Sequence, residues 1–259
     1  MSIVVNTNIG SLNAQRSLAE SSRELATAME RLSSGKKINS ASDDAAGFAI
    51  AERMTAQVRG LNMATKNAND GLAMLATIEN ATNDVTDMLQ RIRELAVQAA
   101  NDTNGVNDRV YLQNEVDDLV TEINRVSTDT VYNDSVVLDG NLAGKLQVGT
   151  LATQTIDFAI DAVDATTLGV DALDLSSAAT AAAALTSIDT AIETVAANRA
   201  SYGSLSNRLE YTVSNLMNVA EYTTAARSRI EDADFAAESA RLAKAQVLQQ
   251  TGTAMLAQA

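Results

Sequence analysis

Cysteine and histidine are both absent from the chain. Their absence excludes thiol nucleophiles, Ser-His-Asp triads, Cys/His zinc sites and HExxH metalloprotease sites. It also removes disulfides as a source of stability. Proline is absent too, where average usage predicts about a dozen in a chain of this length. Long uninterrupted helices account for that best. Tryptophan is missing and aromatics make up only 3%, so a core must be built from Ala, Leu, Val, Ile and Met. No apolar run approaches the 18 residues of a membrane span. The first residues, Met1-Ser-Ile-Val-Val-Asn-Thr-Asn8, lack the basic region and apolar core of a cleaved signal peptide.

Charge is plentiful but uneven. The formal net charge is −14. Residues 1–60 carry seven Lys/Arg and six Asp/Glu, and residues 199–259 carry six of each. The middle carries six Lys/Arg against 21 Asp/Glu. Neutral ends can crowd together without self-repulsion, whereas an acidic middle favours solvent. The same balance argues against a nucleic-acid partner, which wants a basic face.

The strongest pattern runs from residue 61 to residue 100. Leu61, Ala68, Leu75, Thr82, Leu89 and Ala96 recur every seven residues, with Ala64, Gly71, Ile78, Val85, Ile92 and Ala99 three further on. A seam of this length predicts a long helix packed along partner helices. The predicted helix runs from about Asp44 to about Asn101. Asn101-Asp-Thr-Asn-Gly105 reads as a turn. A third helix carrying Leu112, Val116, Leu119, Ile123 and Val126 is expected to fold back on the second.

Upstream, Leu18, Leu25 and Leu32 form a narrow apolar stripe, with Ala14, Ala28 and Met29 on the same side. Residues 1–9 are short and mixed. Residues 34–43 read as a linker, with Gly35 as a helix C-cap and Ser42, Asp43 and Asp44 opening the next helix. The adjacent carboxylates Asp43 and Asp44 read as caps rather than as a metal or acid–base pair.

Residues 131–177 break the helical pattern. Glycines stand at 140, 144, 149 and 169, and Lys145–Val148 and Thr155–Ile160 alternate like strands. Gly140-Asn-Leu-Ala-Gly144-Lys145 lacks the spacing and the Ser/Thr of a phosphate loop and reads as a hairpin turn. Helix resumes near Ser177, with a heptad from Tyr202 through Leu205, Leu209, Leu216, Val219, Ala226, Ile230 and Ala233. The final stretch keeps a weaker apolar face of Ala240, Ala243, Val247, Ala254 and Ala257. The fold class is mainly α: a long coiled-coil helical bundle with a small β-hairpin insert. The two terminal helices lack partners in adjacent sequence, so they are expected to pair with each other and to order fully only when many copies assemble. The seam expected to carry polymerisation comprises Leu18, Leu25, Leu32, Val247 and Ala254. Gln90-Arg-Ile-Arg-Glu94 places two arginines on the polar side of the long helix, read either as a solvated face or as a protein contact. No catalytic, cofactor or metal site emerges.

Several stretches resemble bacterial flagellin. They are Asn6–Gln15, Arg31-Leu-Ser-Ser-Gly-Lys-Lys-Ile-Asn-Ser-Ala-Ser-Asp-Asp-Ala-Ala-Gly47, Leu89-Gln-Arg-Ile-Arg-Glu-Leu-Ala-Val-Gln98, Ser228–Phe235 and Gln249–Gln258. The resemblance implies the filament subunit of the bacterial flagellum, a non-enzymatic helical homopolymer for swimming. By resemblance, residues 1–33 and 235–259 form the inner D0 layer, 34–43 the linker, 44–130 and 178–234 the D1 bundle, and 131–177 a D1 hairpin region. That region is too short for the outer D2 and D3 domains of longer flagellins. Export without a cleaved signal through the flagellar type III channel is implied, as is an extracellular location. Implied partners are an export chaperone on the C-terminal segment, hook-associated and cap proteins, and Toll-like receptor 5 in a vertebrate host. The family's receptor site matches at Gln90, Arg91, Leu95 and Glu115. Family members usually run on about a dozen residues beyond the equivalent of Ala259, with an Asn-Gln-Val-Pro-like tail, and the resemblance does not extend to it. The alternatives are a hook–filament junction protein, disfavoured by the Leu89–Gln98 match, and a monomeric receptor ligand or adhesin.

Overall fold

The computed structural model describes residues 8–258, and the side chains of residues 8–257. The reading of residues 1–9 falls mostly outside that range. Six helices and two small hairpins follow in order: α1 (Ile9–Ser34), α2 (Ala45–Ala99), α3 (Val106–Asp129), β1 (Val131–Tyr132), β2 (Ser135–Val136), β3 (Ala143–Gln147), β4 (Thr155–Ala159), α4 (Ala165–Leu168), α5 (Ala178–Glu231) and α6 (Phe235–Gln258). Two compact units result, residues 60–218 and the two flanking segments 1–59 with 219–259.

In the unit of residues 60–218, α2, α3, α5 and the hairpins share one core. All twelve residues of the predicted α2 seam are buried, and Val85, Leu89 and Ile92 are wholly inaccessible. Burying such side chains contributes about 1.5–3 kcal/mol each. A second row at the same period, Met74, Ala81 and Leu95, is buried as well, with Met88 partly covered. Helix α2 is therefore enclosed on a wider face than the seam alone. Buried Thr82 satisfies its hydroxyl within the helix, donating to the carbonyls of Ile78 (2.9 Å) and Glu79 (3.0 Å).

The 131–177 segment forms two antiparallel hairpins, Val131 opposite Val136 and Ala143 opposite Ala159. The first turns on Asn133 and Asp134, both at positive φ (49° and 63°), as a two-residue hairpin of right-handed twist requires. The glycine-rich stretch read as a hairpin turn leads into the second instead: Gly144 and Lys145 lie within β3, and the turn falls at 148–154. Residues 140–144 are therefore committed to strand entry and ladder. Side chains of the helices tie the segment down. Asn67 donates to the Gln147 carbonyl (3.1 Å), Ser127 to Leu138 (3.0 Å) and Gln113 to Leu173 (2.9 Å), while the Tyr202 hydroxyl accepts from the Asp161 N–H (3.2 Å). At Gly71 a Cβ would stand 2.6 Å from Leu146 Cδ1, so the hairpin packs where α2 has no side chain.

In the other unit, α1 ends on Gly35 at φ +72°, the left-handed cap read from the sequence. The connector 35–44 then runs antiparallel to 231–233. Lys37 N–H donates to the Glu231 carbonyl (2.6 Å), Ala233 N–H to Gly35 (3.0 Å), and Lys36 pairs with Glu231. Asp44 caps α2 by accepting from Ala46 and Gly47 N–H. Asp43 closes the turn before it, and the N–H groups of Ser40 and Asn39 hold its carboxyl below the usual range.

Candidate assembly and recognition surfaces

Helices α1 and α6 approach each other closely along their length. Leu18 packs against Gly252 at one end, and Arg31 meets Glu238 at the other, so the pair is antiparallel. The α1 seam is Ala14, Leu18, Ser21, Leu25, Ala28 and Leu32, at alternating spacings of four and three. The facing row on α6 is Glu238, Leu242, Ala245, Gln249, Gly252 and Leu256, with the same spacing. Small residues on α6 admit the α1 leucines, and this explains the close approach.

The predicted seam residues divide between two faces. Leu18, Leu25 and Leu32 are half-buried in the α1·α6 contact, whereas Val247 and Ala254 are exposed on the far side of α6. Met29, expected beside the leucines, is 55% exposed. It stands one residue past Ala28, rotated about 100° off the seam. The apolar face read for the last helix is thus its outer face. Its inner face was hidden by chemistry, because Glu238 and Gln249 occupy seam positions where an apolar residue is expected.

Glu238 is 6% exposed. Arg31 Nη1 lies 3.8 Å and Arg241 Nη1 3.3 Å from its carboxylate. A charge at one layer of a coiled coil fixes register at some cost in stability. The Nε of Arg31 is buried without a partner.

The second candidate surface lies on α2 and α3. Arg91 donates from Nε to Glu115 Oε1 (2.9 Å) and from Nη1 to Glu94 Oε2 (3.0 Å). Both carboxylates stabilise its charged form, the Glu115 hydrogen bond most. Arg93 points instead to Asp189 on α5 (2.6 Å). Gln90 is exposed beside Arg91. Leu95 is not with them: at 1% exposure it sits in the core row with Met74 and Ala81. The structure brings Arg91 and Glu115 together from helices 24 positions apart in sequence. Sequence reading missed Arg109, which anchors the α2–α3 turn. It is 8% exposed and donates to the carbonyl of Ala99 (2.8 Å), the last residue of α2, and to that of Asn101 in the turn (3.1 Å), which also accepts from the Asn104 N–H.

Comparison with known proteins now identifies the architecture. Residues 5–143 match the bacterial flagellin N-terminal helical region, and residues 185–259 match the bacterial flagellin C-terminal helical region. The chain belongs to the bacterial flagellin family. A flagellin of Halalkalibacterium halodurans is 40% identical over 99% of this chain and 96% of its own length. Flagellin of Bacillus subtilis is 38% identical over 98% and 95%. The crystal structure of Bacillus cereus flagellin is similar with a TM-score of 0.52 at 30% identity, covering 58% of this chain and 88% of that one. A putative flagellar hook-associated protein from Vibrio parahaemolyticus shares the fold at 14% identity and a TM-score of 0.62, over 73% of this chain and all of that one. As a flagellin, the protein is a non-enzymatic structural subunit of the bacterial flagellar filament, polymerised outside the cell for motility. It is a short flagellin, without the large outer domains of longer relatives. Among the described residues no helix is long and apolar enough to cross a membrane, and no three or more acidic side chains are grouped to hold a metal ion.

Proposed function

We propose that the α1·α6 pair is the element through which this flagellin polymerises, the inner D0 layer of residues 1–33 and 235–259. Residues 34–43 then act as the linker, 44–130 and 178–234 as the D1 bundle, and 131–177 as its hairpin region. One observation carries the reading: α6 exposes large apolar side chains that α1 does not cover. Val247, Leu248 and Met255 are 57%, 41% and 64% exposed, and no charged residue follows Lys244. Apolar side chains exposed on a helix mark a surface for another element to cover, and further copies of the subunit supply one. The same uncovered face suits an export chaperone before assembly. Hook-associated and cap proteins would meet it at the filament's ends.

Seeded growth tests the assignment. Purified subunits are added to short filament seeds, beside a variant lacking residues 1–40, and followed by electron microscopy. The intact chain elongates the seeds and the truncated chain does not. Elongation by the truncated chain would remove the terminal pair from the assembly mechanism.

A second reading has its own support. The Arg91–Glu115 pair, with exposed Gln90 beside it, offers a pre-ordered polar patch to Toll-like receptor 5 when the subunit is free. Leu95 serves that patch from beneath, holding α2 against the core.

A further inference from the structure

The chain holds a single Asn-Gly pair, Asn104-Gly105. It stands in the turn that joins α2 to α3, outside both helices. Such a pair can react with itself. Glycine carries no Cβ, so its backbone nitrogen can reach the side-chain carbonyl of the residue before it. The Gly105 N–H gives its proton to a solvent base, the nitrogen bonds to Asn104 Cγ, and the Cγ–Nδ2 bond breaks. Nδ2 takes up a proton from water and leaves as ammonia. Water then opens the cyclic imide. Attack at Cγ breaks the new bond and yields aspartate; attack at the Asn104 backbone carbonyl breaks the old peptide bond and yields isoaspartate. Overall, water is consumed, ammonia is released and nothing is oxidised.

The folded turn engages both reacting groups elsewhere. The Gly105 N–H donates to Asp108 Oδ2 (2.9 Å) in the first turn of α3, and Asn104 Nδ2 donates to the Gln98 carbonyl (2.5 Å) in the last turn of α2. A carboxylate at the Gly105 N–H opposes its deprotonation, because the resulting anion would face a like charge. The Asn104 side chain must leave Gln98 before its carbon can turn to Gly105. Both bonds therefore break before the ring closes. Arg109 ties the same corner together through Ala99 and Asn101. The two Asp-Gly pairs, which can form the same ring, are guarded in other ways. Asp70-Gly71 lies inside α2, where helical hydrogen bonds fix the backbone. At Asp139-Gly140 the Asn141 N–H holds the carboxyl below the usual range, and ring closure on aspartate needs the neutral acid.

We propose that Asn104 is a deamidation site kept silent by the closed α2–α3 corner, and that its products cannot close the corner again. Deamidation replaces a donor by an acceptor. The new carboxylate would face the Gln98 carbonyl, oxygen to oxygen. It also adds negative charge at the C-terminal end of α2, where the helix dipole disfavours it. Isoaspartate goes further and inserts a methylene into the backbone between the helices. A subunit whose corner opens is thus changed in one direction only, and one that stays closed is spared.

The test incubates the full chain at mildly alkaline pH, native and in guanidinium chloride, and digests it with trypsin. Cleavage after Arg93 and Arg109 releases residues 94–109, which carry Asn101, Asn104 and Asn107 together. Mass spectrometry locates the exchange of amide for carboxyl, and isoaspartyl methyltransferase labels the isoaspartate. In the unfolded chain the change should concentrate at Asn104; an equal change at Asn101 and Asn107 would remove the site. The native subunit should react at least roughly tenfold more slowly, the factor that one hydrogen bond to a charged group supplies. A native rate equal to the unfolded one would show that the corner protects nothing. Asp108→Ala and Arg109→Leu, each in the native subunit, should raise the rate several-fold; unchanged rates in both would overturn the role of these contacts. Asn104→Asp supplies one product without the chemistry. Amide exchange over residues 96–110 should quicken roughly tenfold in it, with the rest of the 60–218 core still protected. Unchanged exchange there would overturn the claim that the change is one-way.

Discussion

Two regions of this flagellin use the same seven-residue period to opposite ends. In residues 60–218 the α2 seam is half Leu, Ile and Val and half Ala, Gly and Thr, and every one of its residues is buried. In the α1·α6 pair five leucines alternate with Ala, Ser, Gly, Gln and Glu, and only Ser21 and Ala28 of α1 are buried. One region is complete as a single chain. The other leaves Val247, Leu248 and Met255 exposed within the single chain. The lesson is that period alone does not measure how much stability a helix carries; how completely other elements cover the seam does.

The sharpest way to break this contrast is a matched pair of truncations. Leu89→Ala empties a site with no exposure in the 60–218 core. It should lower the stability of the free subunit by about 2–5 kcal/mol, seen as a shifted denaturant midpoint. Leu25→Ala, at the same heptad position of α1, should leave that midpoint nearly unmoved and abolish seeded growth. Equal shifts in the two variants would erase the distinction between the regions.

The α2 seam was legible because large apolar residues recur against a polar background over six heptads. The second buried row of Met74, Ala81 and Leu95 obeys the same period, but its alanine and methionines do not stand out. Leu95 was therefore matched to a receptor surface by resemblance while its own spacing pointed inward. On α6 almost every face is small or apolar, so no period selects the inner row, and Glu238 and Gln249 disguise it. The strap between 35–38 and 231–233 joins residues nearly two hundred positions apart through backbone groups, which carry no side-chain signature. The insert was readable as hairpins because β-branched alternation is local. The role of Gly144 was not, because its strand partner Phe158 lies beyond the turn.

A smaller effect sharpens the account of how the 60–218 unit turns its corner. Arg109, from the first turns of α3, donates to the Ala99 carbonyl at the end of α2 and to Asn101 in the turn. Arg109→Leu keeps the buried bulk and leaves the Ala99 carbonyl without its donor, while Asn101 keeps the Asn104 N–H. Hydrogen bonds to a charged group are worth about 1.5–3 kcal/mol, so a loss of about 2 kcal/mol is expected, with faster amide exchange confined to residues 96–110. Exchange that quickens across the whole unit would mean that the turn is not a separable lock.

The smallest effect on stability belongs to the Arg91–Glu115 pair. Both side chains are about half exposed, at 50% and 43%, and pairs at that exposure contribute little to folding. Glu115→Ala should therefore leave the denaturant midpoint unchanged within error. If the patch is read by Toll-like receptor 5, the same variant should still require roughly tenfold more free subunit for half-maximal signalling. A swapped variant, Arg91→Glu with Glu115→Arg, separates two reasons for that loss. It preserves an ion pair between α2 and α3 while reversing the charges offered outward. Recovery of signalling in the swap would assign the pair to holding the helices. Continued loss, with the midpoint unmoved, would assign it to the surface chemistry that a receptor touches. That result would also complete the contrast between the regions: a core that supports itself and presents a patch, and a helix pair whose exposed face is proposed to work only in assembly.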